Sequence, residues 1–153
     1  MKILLKIFSI LLLIIGLALT AALFLAFSDM RFVGASAIGE PQQTVDAQGN
    51  VHLIVKLRVY NNGSYLTMAN SKVEMKIIDQ NNNTISSDTK VFTLGPKSYT
   101  DLTFDLVIPN ATFVKFANGE IRLFVSTKLT AVMAFRDFVL LTYSLESISE
   151  LQR

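Results

Sequence analysis

An unbroken apolar stretch near the start of the chain constrains everything that follows it. It runs from Ile7 to Phe27 without a charged residue. As a helix rising about 1.5 Å per residue it is about 30 Å long, which matches the hydrocarbon core of a bilayer. Lys2 and Lys6 precede it, and the positive-inside rule places them on the cytoplasmic side. We therefore expect an N-terminal signal anchor over residues 1–28, which makes this a single-pass membrane protein.

A cleaved signal peptide is the alternative interpretation of the same segment. Ala35-Ser-Ala37 fits an A-x-A-like cleavage site. However, the apolar stretch is longer than the roughly 7–15 residues of a usual signal-peptide core, and the Ala-Ser-Ala sequence lies well beyond its end. Gly16 and Thr20 also have the small-xxx-small spacing found where membrane helices associate, although composition alone often produces it. Both interpretations place the residues after Ser28 outside the cytoplasm.

The chain after the apolar stretch is formally neutral. The 153 residues include 14 basic and 12 acidic ones, and Lys2 and Lys6 account for the net charge of +2. A neutral domain lacks the clustered Lys and Arg that displace phosphate counterions, so we expect no nucleic-acid partner. The sequence contains no Cys, which excludes disulfides, Cys-type zinc sites and a thiol nucleophile. A hydrophobic core must therefore stabilise the domain without disulfides.

Beyond residue 50 the apolar residues alternate with polar ones, which is the pattern of half-buried antiparallel strands. Val51 to Tyr60 has Val or Leu at every odd position and ends on the turn formers Asn61-Asn-Gly-Ser64. The same alternation predicts strands at Lys72–Ile77, Asp101–Ile108 and Ile121–Ser126. We also expect a first strand directly after the membrane at Met30–Ile38, a hairpin partner at Thr84–Leu94 and a last strand at Phe138–Leu145. The last of these is so apolar that we expect it to be buried on both faces.

About seven strands separated by turn residues predict a sandwich of two antiparallel sheets. We expect an all-β, immunoglobulin/fibronectin-III-like domain over about residues 30–146. Within it, residues 29–50 would hold the first strand and a linker, and residues 51–153 the rest of the sandwich. One short helix is predicted between Pro109 and Gly119, because Pro and Asn can start a helix and Asn-Gly can end it.

Three segments in this strand order resemble the type-2 late embryogenesis abundant (LEA) family, also described as the WHy (water stress and hypersensitive response) domain. They are the strand Leu53–Tyr60 closing on Asn61-Asn62, the polar hairpin Asp79–Ile85, and Phe92-Thr-Leu-Gly-Pro96 followed by the strand from Leu102. The usual Asn-Pro-Asn of the family appears here as Asn-Asn-Gly. The resemblance covers about residues 30–145. It implies a β-sandwich that is often membrane-anchored, is associated with stress tolerance and has no known catalytic residues.

Few side chains are candidates for catalysis. His52 is the only histidine, and alternation places it beside Lys56 and Arg58, which would repel a cation, so we expect a solvated residue rather than a metal ligand. Asp101 and Asp105 share a strand face about 13 Å apart, too far for a paired-carboxylate mechanism. The sequence has no zinc-protease, nucleophile-elbow or phosphate-loop motif. We therefore expect no enzyme activity, no catalytic residue, no metal and no cofactor.

Asp79-Gln-Asn-Asn-Asn83 resembles the start of a calcium-binding loop. Thr84 stands where such a loop needs glycine for its sharp turn. Lys90 stands where it needs the glutamate that binds calcium through both oxygens. We therefore expect a hairpin turn at this position instead of a calcium site.

Three sequons of the form N-x-[ST] fall in predicted turns on the side that we assign to the outside. Turns collect Asn, Ser and Thr in any case, so the sequons are candidates and their use requires a glycosylating host, archaeal or eukaryotic. The candidate N-glycosylation acceptors are Asn62, Asn82 and Asn110.

These expectations favour a non-catalytic membrane-anchored protein whose extracytoplasmic β-sandwich protects the cell envelope or binds a partner there. Its partners would be the lipid bilayer and a protein, either another protein or a second copy that associates through the helix or a sheet edge. One alternative is a subunit of an extracellular filament, because archaeal pilins pair an apolar helix with a β-sandwich head. Lys2 or Lys6 would be costly inside such a helix-packed core. The other alternative is an accessory subunit of a membrane complex.

Overall fold

The structure, a computed structural model, describes the backbone of residues 2–152 and the side chains of residues 12–25 and 27–152. This part of the chain forms two helices and eight strands. The helices are α1 (Lys2–Met30) and α2 (Asn110–Ala117). The strands are β1 (Val33–Ala37), β2 (Gln42–Val45), β3 (Val51–Asn61), β4 (Thr67–Asp79), β5 (Thr84–Leu94), β6 (Ser98–Ile108), β7 (Leu123–Phe135) and β8 (Phe138–Glu150).

The strands form two antiparallel sheets, which confirms the predicted immunoglobulin/fibronectin-like β-sandwich. In the first sheet β3 is central, with β6 along one side and β1 and β2 in succession along the other. The second sheet has the order β5-β4-β7-β8. The strand that was not predicted, β2, lies in the segment interpreted as a linker. All four of its residues are exposed, so it carries no alternation of polar and apolar residues.

The alternation in β3 predicts the core correctly. Val51, Leu53, Leu57 and Val59 of β3 are each at most 8% exposed. They pack in one cluster with apolar residues of the other strands, including Val73, Met75, Ile77, Phe104, Leu106, Leu129 and Met133. The domain is therefore held together by side chains that meet between the two sheets, as a chain without cysteine requires.

The expectation that the last strand is buried on both faces is wrong. β8 pairs only with β7 and forms the edge of its sheet. Leu140, Leu141 and Tyr143 are partly buried against the core, whereas Phe138 and Val139 are exposed. The apolar start of this strand therefore has a cause other than burial between neighbouring strands.

The predicted short helix is present as α2. Phe116 is buried, and its ring centre lies 6.4 Å from that of Phe113 on the same face. The helix ends at Ala117, and Gly119 just beyond it has a φ of 79° and donates its N–H to the carbonyl of Phe116. Glycine adopts this left-handed conformation without the steric cost that other residues meet, which is why it commonly ends helices.

Candidate functional site

The carboxylate of Asp29 connects the end of α1 to the loop that follows β3. It is 2% exposed. Its Oδ2 accepts hydrogen bonds from the backbone N–H groups of Tyr65 and Leu66, both at 2.9 Å, and its Oδ1 accepts one from Ser64 at 3.3 Å. A negative charge is unfavourable near the C-terminal end of a helix. These N–H groups supply the stabilisation, because hydrogen bonds to an ionised acceptor are stronger than neutral ones. We call Asp29 and residues 61–66 the junction.

Asn61 forms the other half of the junction. It is fully buried. Its Nδ2 donates to the carbonyls of Leu66 at 2.8 Å and Gly95 at 3.2 Å, and its Oδ1 accepts the N–H of Gly63 at 3.1 Å. A buried amide is costly unless its donors and acceptor are satisfied, and here they are. The turn residues that end β3 therefore form a structural connection between the β3–β4 loop and the β5–β6 turn.

Two further contacts bring the helix and the loop together. The backbone N–H of Phe32 donates to the carbonyl of Asp29, and the N–H of Asn62 donates to the carbonyl of Phe32, both at 3.0 Å. A side chain at Gly63 would place its Cβ 2.8 Å from Cγ of Asp29 and 3.0 Å from Oδ1 of Asn61. Only glycine permits this approach. The helix thus passes into the sandwich through bonded contacts, without a free linker.

An apolar groove lies between α1 and the hairpin formed by β7 and β8. The groove has a volume of about 310 Å³. Its helix wall is formed by residues spaced as i, i+3, i+4 and i+7, and its other wall by apolar residues of the sandwich. The helix residues are Ala18, Ala21, Ala22 and Leu25, and the sandwich residues are Leu66, Phe135, Phe138 and Leu140.

The helix has the length and composition of a membrane span within the described side chains. Leu12–Met30 comprises 19 residues with a mean hydropathy of 2.2, and 6% of this window is buried by the protein. The core helix of a soluble domain would instead be largely buried. The side chains of Lys2 and Lys6, predicted to mark the cytoplasmic side, lie outside the described part of the structure.

His52 lies between two carboxylates. Its Nδ1 is 3.0 Å from Oδ1 of Asp105, and its Nε2 is 3.6 Å from Oδ2 of Asp46. The hydrogen bond with Asp105 is the main reason that the pKa of His52 is raised, because it favours the charged imidazolium. The sequence predicts Lys56 and Arg58 as neighbours of His52, because alternation within one strand places them on the same face. Asp105 comes from the neighbouring strand β6, whose register the sequence does not show.

Asp101 also pairs across the same two strands. The guanidinium of Arg58 donates to its two oxygens at 2.7 and 2.8 Å and lies 4.2 Å from the ring centre of Tyr99. The hydrogen bond from Arg58 lowers the pKa of Asp101. Asp101 and Asp105 thus interact with different basic partners and not with each other, in agreement with their predicted role as separate surface charges.

The calcium-like segment is the hairpin turn that the sequence predicts. Oδ1 of Asp79 accepts the N–H groups of Asn81 and Asn83, and its Oδ2 accepts the side-chain amide of Asn83. Asp46 makes the corresponding three bonds, two of them to Asn50. The shared D-x-x-x-N spacing is therefore a sequence signal that could also have predicted the turn at residues 46–50. Within the described residues, no group of three or more His, Cys, Asp or Glu side chains is arranged to hold a metal.

The three sequon asparagines are all exposed. Asn62 lies in the junction loop, and Asn82 lies in the β4–β5 turn. Asn110 is the first residue of α2 and not part of a turn. Glycosylation of these residues stays a prediction.

No protein-family model matches the chain, and no curated protein sequence matches it. Several solved structures resemble it. A candidate beta-galactosidase from Bacteroides fragilis is 17% identical with a TM-score of 0.47, and the match covers 69% of this chain and 15% of that protein. A protein from Archaeoglobus fulgidus is 16% identical with a TM-score of 0.38, with 77% of this chain and 99% of that one covered.

A protein from Arabidopsis thaliana, solved in solution, is 13% identical with a TM-score of 0.47, and the match covers 79% of this chain and 82% of that chain. The chain spans about 15% of the length of the Bacteroides fragilis protein. At these identities and TM-scores, none of the three proteins bears on what this chain does.

Proposed function

We propose that this protein is a non-catalytic, single-pass membrane protein whose β-sandwich is held against the outer face of the bilayer. There the domain protects the envelope or binds a partner. In this proposal α1 is the anchor, and Lys2 and Lys6 lie on the cytoplasmic side. The junction carries the proposal. The buried Asp29 carboxylate accepts loop N–H groups at 2.9 Å, a connection that a freely tethered domain would not need.

Membership of the type-2 LEA/WHy family is part of this proposal. It is supported by the strand that ends on Asn61 and Asn62, because these residues form the junction in the structure. A family associated with stress tolerance suggests a protective role for the domain at the membrane surface. A stress phenotype on deletion of the gene, rescued by the full chain, would support this role.

The non-catalytic part of the proposal is supported by what the polar side chains do. His52 pairs with Asp105, and Arg58 holds both oxygens of Asp101. The carboxylate of Asp79 is occupied by the backbone of its own turn. These groups stabilise strands and turns through bonds to one another, which leaves them poorly suited to proton transfer with a substrate.

The absence of cysteine gives a direct test of sidedness. Asn81→Cys places a thiol in the exposed β4–β5 turn, and Lys2→Cys places one at the N-terminus. A membrane-impermeant maleimide applied to intact cells should label Asn81→Cys at once and Lys2→Cys only after permeabilisation. The wild-type chain is the unlabelled control. Labelling of Lys2→Cys alone in intact cells would show that the orientation is opposite to the one proposed. Release of the protein by alkaline carbonate would refute the anchor.

Assembly through the edge of a sheet is a second candidate function. β8 is 13 residues long and pairs with another strand only along its β7 side. An exposed edge of this length presents N–H and C=O groups that can pair with a further strand. This would suit an accessory subunit or a filament subunit. Light scattering of the protein extracted in mild detergent tests this assembly. A monomer would exclude both the accessory-subunit role and the filament-subunit role.

A further inference from the structure

We propose that the β7–β8 hairpin is a second membrane contact. Its turn, residues 135–138, enters the outer leaflet beside α1, and lipid acyl chains fill the groove between hairpin and helix. This inference rests on the proposed function, because it requires α1 to span the bilayer. It assigns lipid as the occupant of the groove, in preference to a second protein.

The first argument is where the hairpin lies along the helix. Phe135 and Phe138 face the helix wall that runs from Ala18 to Leu25. That wall covers about 10 Å of helix at about 1.5 Å per residue. It lies well before the end of α1 at Met30. The hairpin therefore extends alongside the apolar helix and does not stop at its end.

The second argument is depth in the bilayer. A span needs about 20 apolar residues, and counting about that many from Lys6 puts the outer boundary of the hydrocarbon near Ala26. Ala22 then lies about 6 Å below that boundary, and the hairpin facing it lies at a similar depth. Amphipathic segments bury their apolar faces about 5–10 Å into this same region.

The third argument is the surface of the hairpin itself. Phe138 is 74% exposed, Val139 61% and Phe135 47%. On the neighbouring helix, Phe24 is 73% exposed. Both elements therefore expose large apolar side chains, which water solvates poorly and acyl chains cover well. This surface accounts for the apolar start of β8, which burial within the sandwich does not explain.

The turn between the two phenylalanines carries two charged residues, Arg136 and Asp137, which the edge of the bilayer must accommodate. Phe135 and Phe138 pair directly, so the turn between them is short and leaves few backbone groups unpaired. Arg136 lies at the turn with its guanidinium 5.9 Å from the ring centre of Phe135. A long arginine side chain can keep its charge at the level of the phosphates while its stem lies among apolar groups.

The protein contains no tryptophan, so a single substitution creates a unique fluorescent reporter. Phe138→Trp reports on the hairpin and Phe24→Trp on the helix. Val114→Trp, on the exposed face of α2 at the opposite end of β3, is the matched control. Each full-length variant is reconstituted into phosphatidylcholine vesicles with or without bromine on the acyl chains. Val139→Trp is a second reporter on the hairpin. Far-UV circular dichroism checks that each variant is folded.

We expect brominated lipid to quench Phe138→Trp and Phe24→Trp to a similar fraction and to leave Val114→Trp unchanged. If Phe24→Trp is quenched but both hairpin reporters are not, the inference fails while the membrane anchor stands. In that case, blue-shifted emission from the hairpin would indicate that a protein, such as a second copy, covers it, and red-shifted emission would indicate water. If Phe24→Trp is also unquenched, the anchor and the inference both fail.

Discussion

Replacement of Asp29 by alanine removes the carboxylate that connects α1 to the sandwich. Three backbone N–H groups of the junction then lose their acceptor, and two of these, from Tyr65 and Leu66, lie at 2.9 Å. The third, from Ser64, is longer at 3.3 Å and contributes less. Water cannot readily replace the carboxylate, because Asp29 is 2% exposed. The loop should therefore open more often in the variant than in the wild type.

The size of the effect follows from the two short bonds. A hydrogen bond to a charged group contributes about 1.5–3 kcal/mol. We take the low end, because removing Asp29 also removes the cost of burying its charge. Two such bonds give about 3 kcal/mol. This corresponds to roughly 100-fold more frequent opening of the loop.

Hydrogen–deuterium exchange of the full chain in lipid nanodiscs measures this opening. The peptide that contains Ser64, Tyr65 and Leu66 should exchange about 100-fold faster in Asp29→Ala. Asp29→Asn keeps one acceptor oxygen without the charge, so its effect should be smaller. Glu40→Ala, at an exposed carboxylate, is the surface control. Exchange in Asp29→Ala that is unchanged, or that rises equally in Glu40→Ala, would refute the proposed connection.

Three further changes test other parts of the structure. Gly63→Ala forces a Cβ to within 2.8 Å of Asp29. The free energy of unfolding, measured from the urea midpoint, should therefore fall by about 1–3 kcal/mol. An unchanged midpoint would show that the loop can move away. Asn61→Ala leaves buried carbonyls without a donor and should cost about 2–4 kcal/mol in the same assay, whereas a loss below about 1 kcal/mol would contradict the bonding described. The hydrogen bond with Asp105 is the main cause that raises the pKa of His52 above its ordinary value of 6.5. The stabilisation that the charged imidazolium gives the folded state is therefore complete below pH 6.5 and is lost as pH rises through the folded-state pKa. The melting temperature of the wild type should therefore fall relative to His52→Gln between about pH 6 and about pH 8, and a constant difference would show that this pair does not stabilise the fold.

Patterns within a single strand predict much of this fold. Val51, Leu53, Leu57 and Val59 at odd positions of β3 are buried as alternation predicts, and β5 begins and ends where its turn residues indicate. These features depend on a period of two and on local turn chemistry, both of which are visible in a short window. The strand β2 lacks that period because none of its side chains enters the core.

The junction could not be predicted in the same way. Asp29 follows the apolar stretch by two positions and reads as an ordinary polar residue at its end. Its partners lie more than thirty positions further along the chain. Only the folded chain brings Asn61 and Gly63 to this carboxylate. The pairing of His52 with Asp105 is not visible in the sequence for the same reason, because it depends on how β3 and β6 are aligned.

Because no free linker separates α1 from the sandwich, a change in the tilt of the helix also tilts the domain. β3 has 11 residues, so the turns at the far end of the domain stand about 35 Å from the junction at about 3.3 Å per residue. Spanning helices change their tilt when bilayer thickness changes, and a change of about 10° would swing those turns sideways by about 6 Å. In the proposed membrane topology, thickening or thinning of the lipid would thereby move the surface that lies at the far end of the domain.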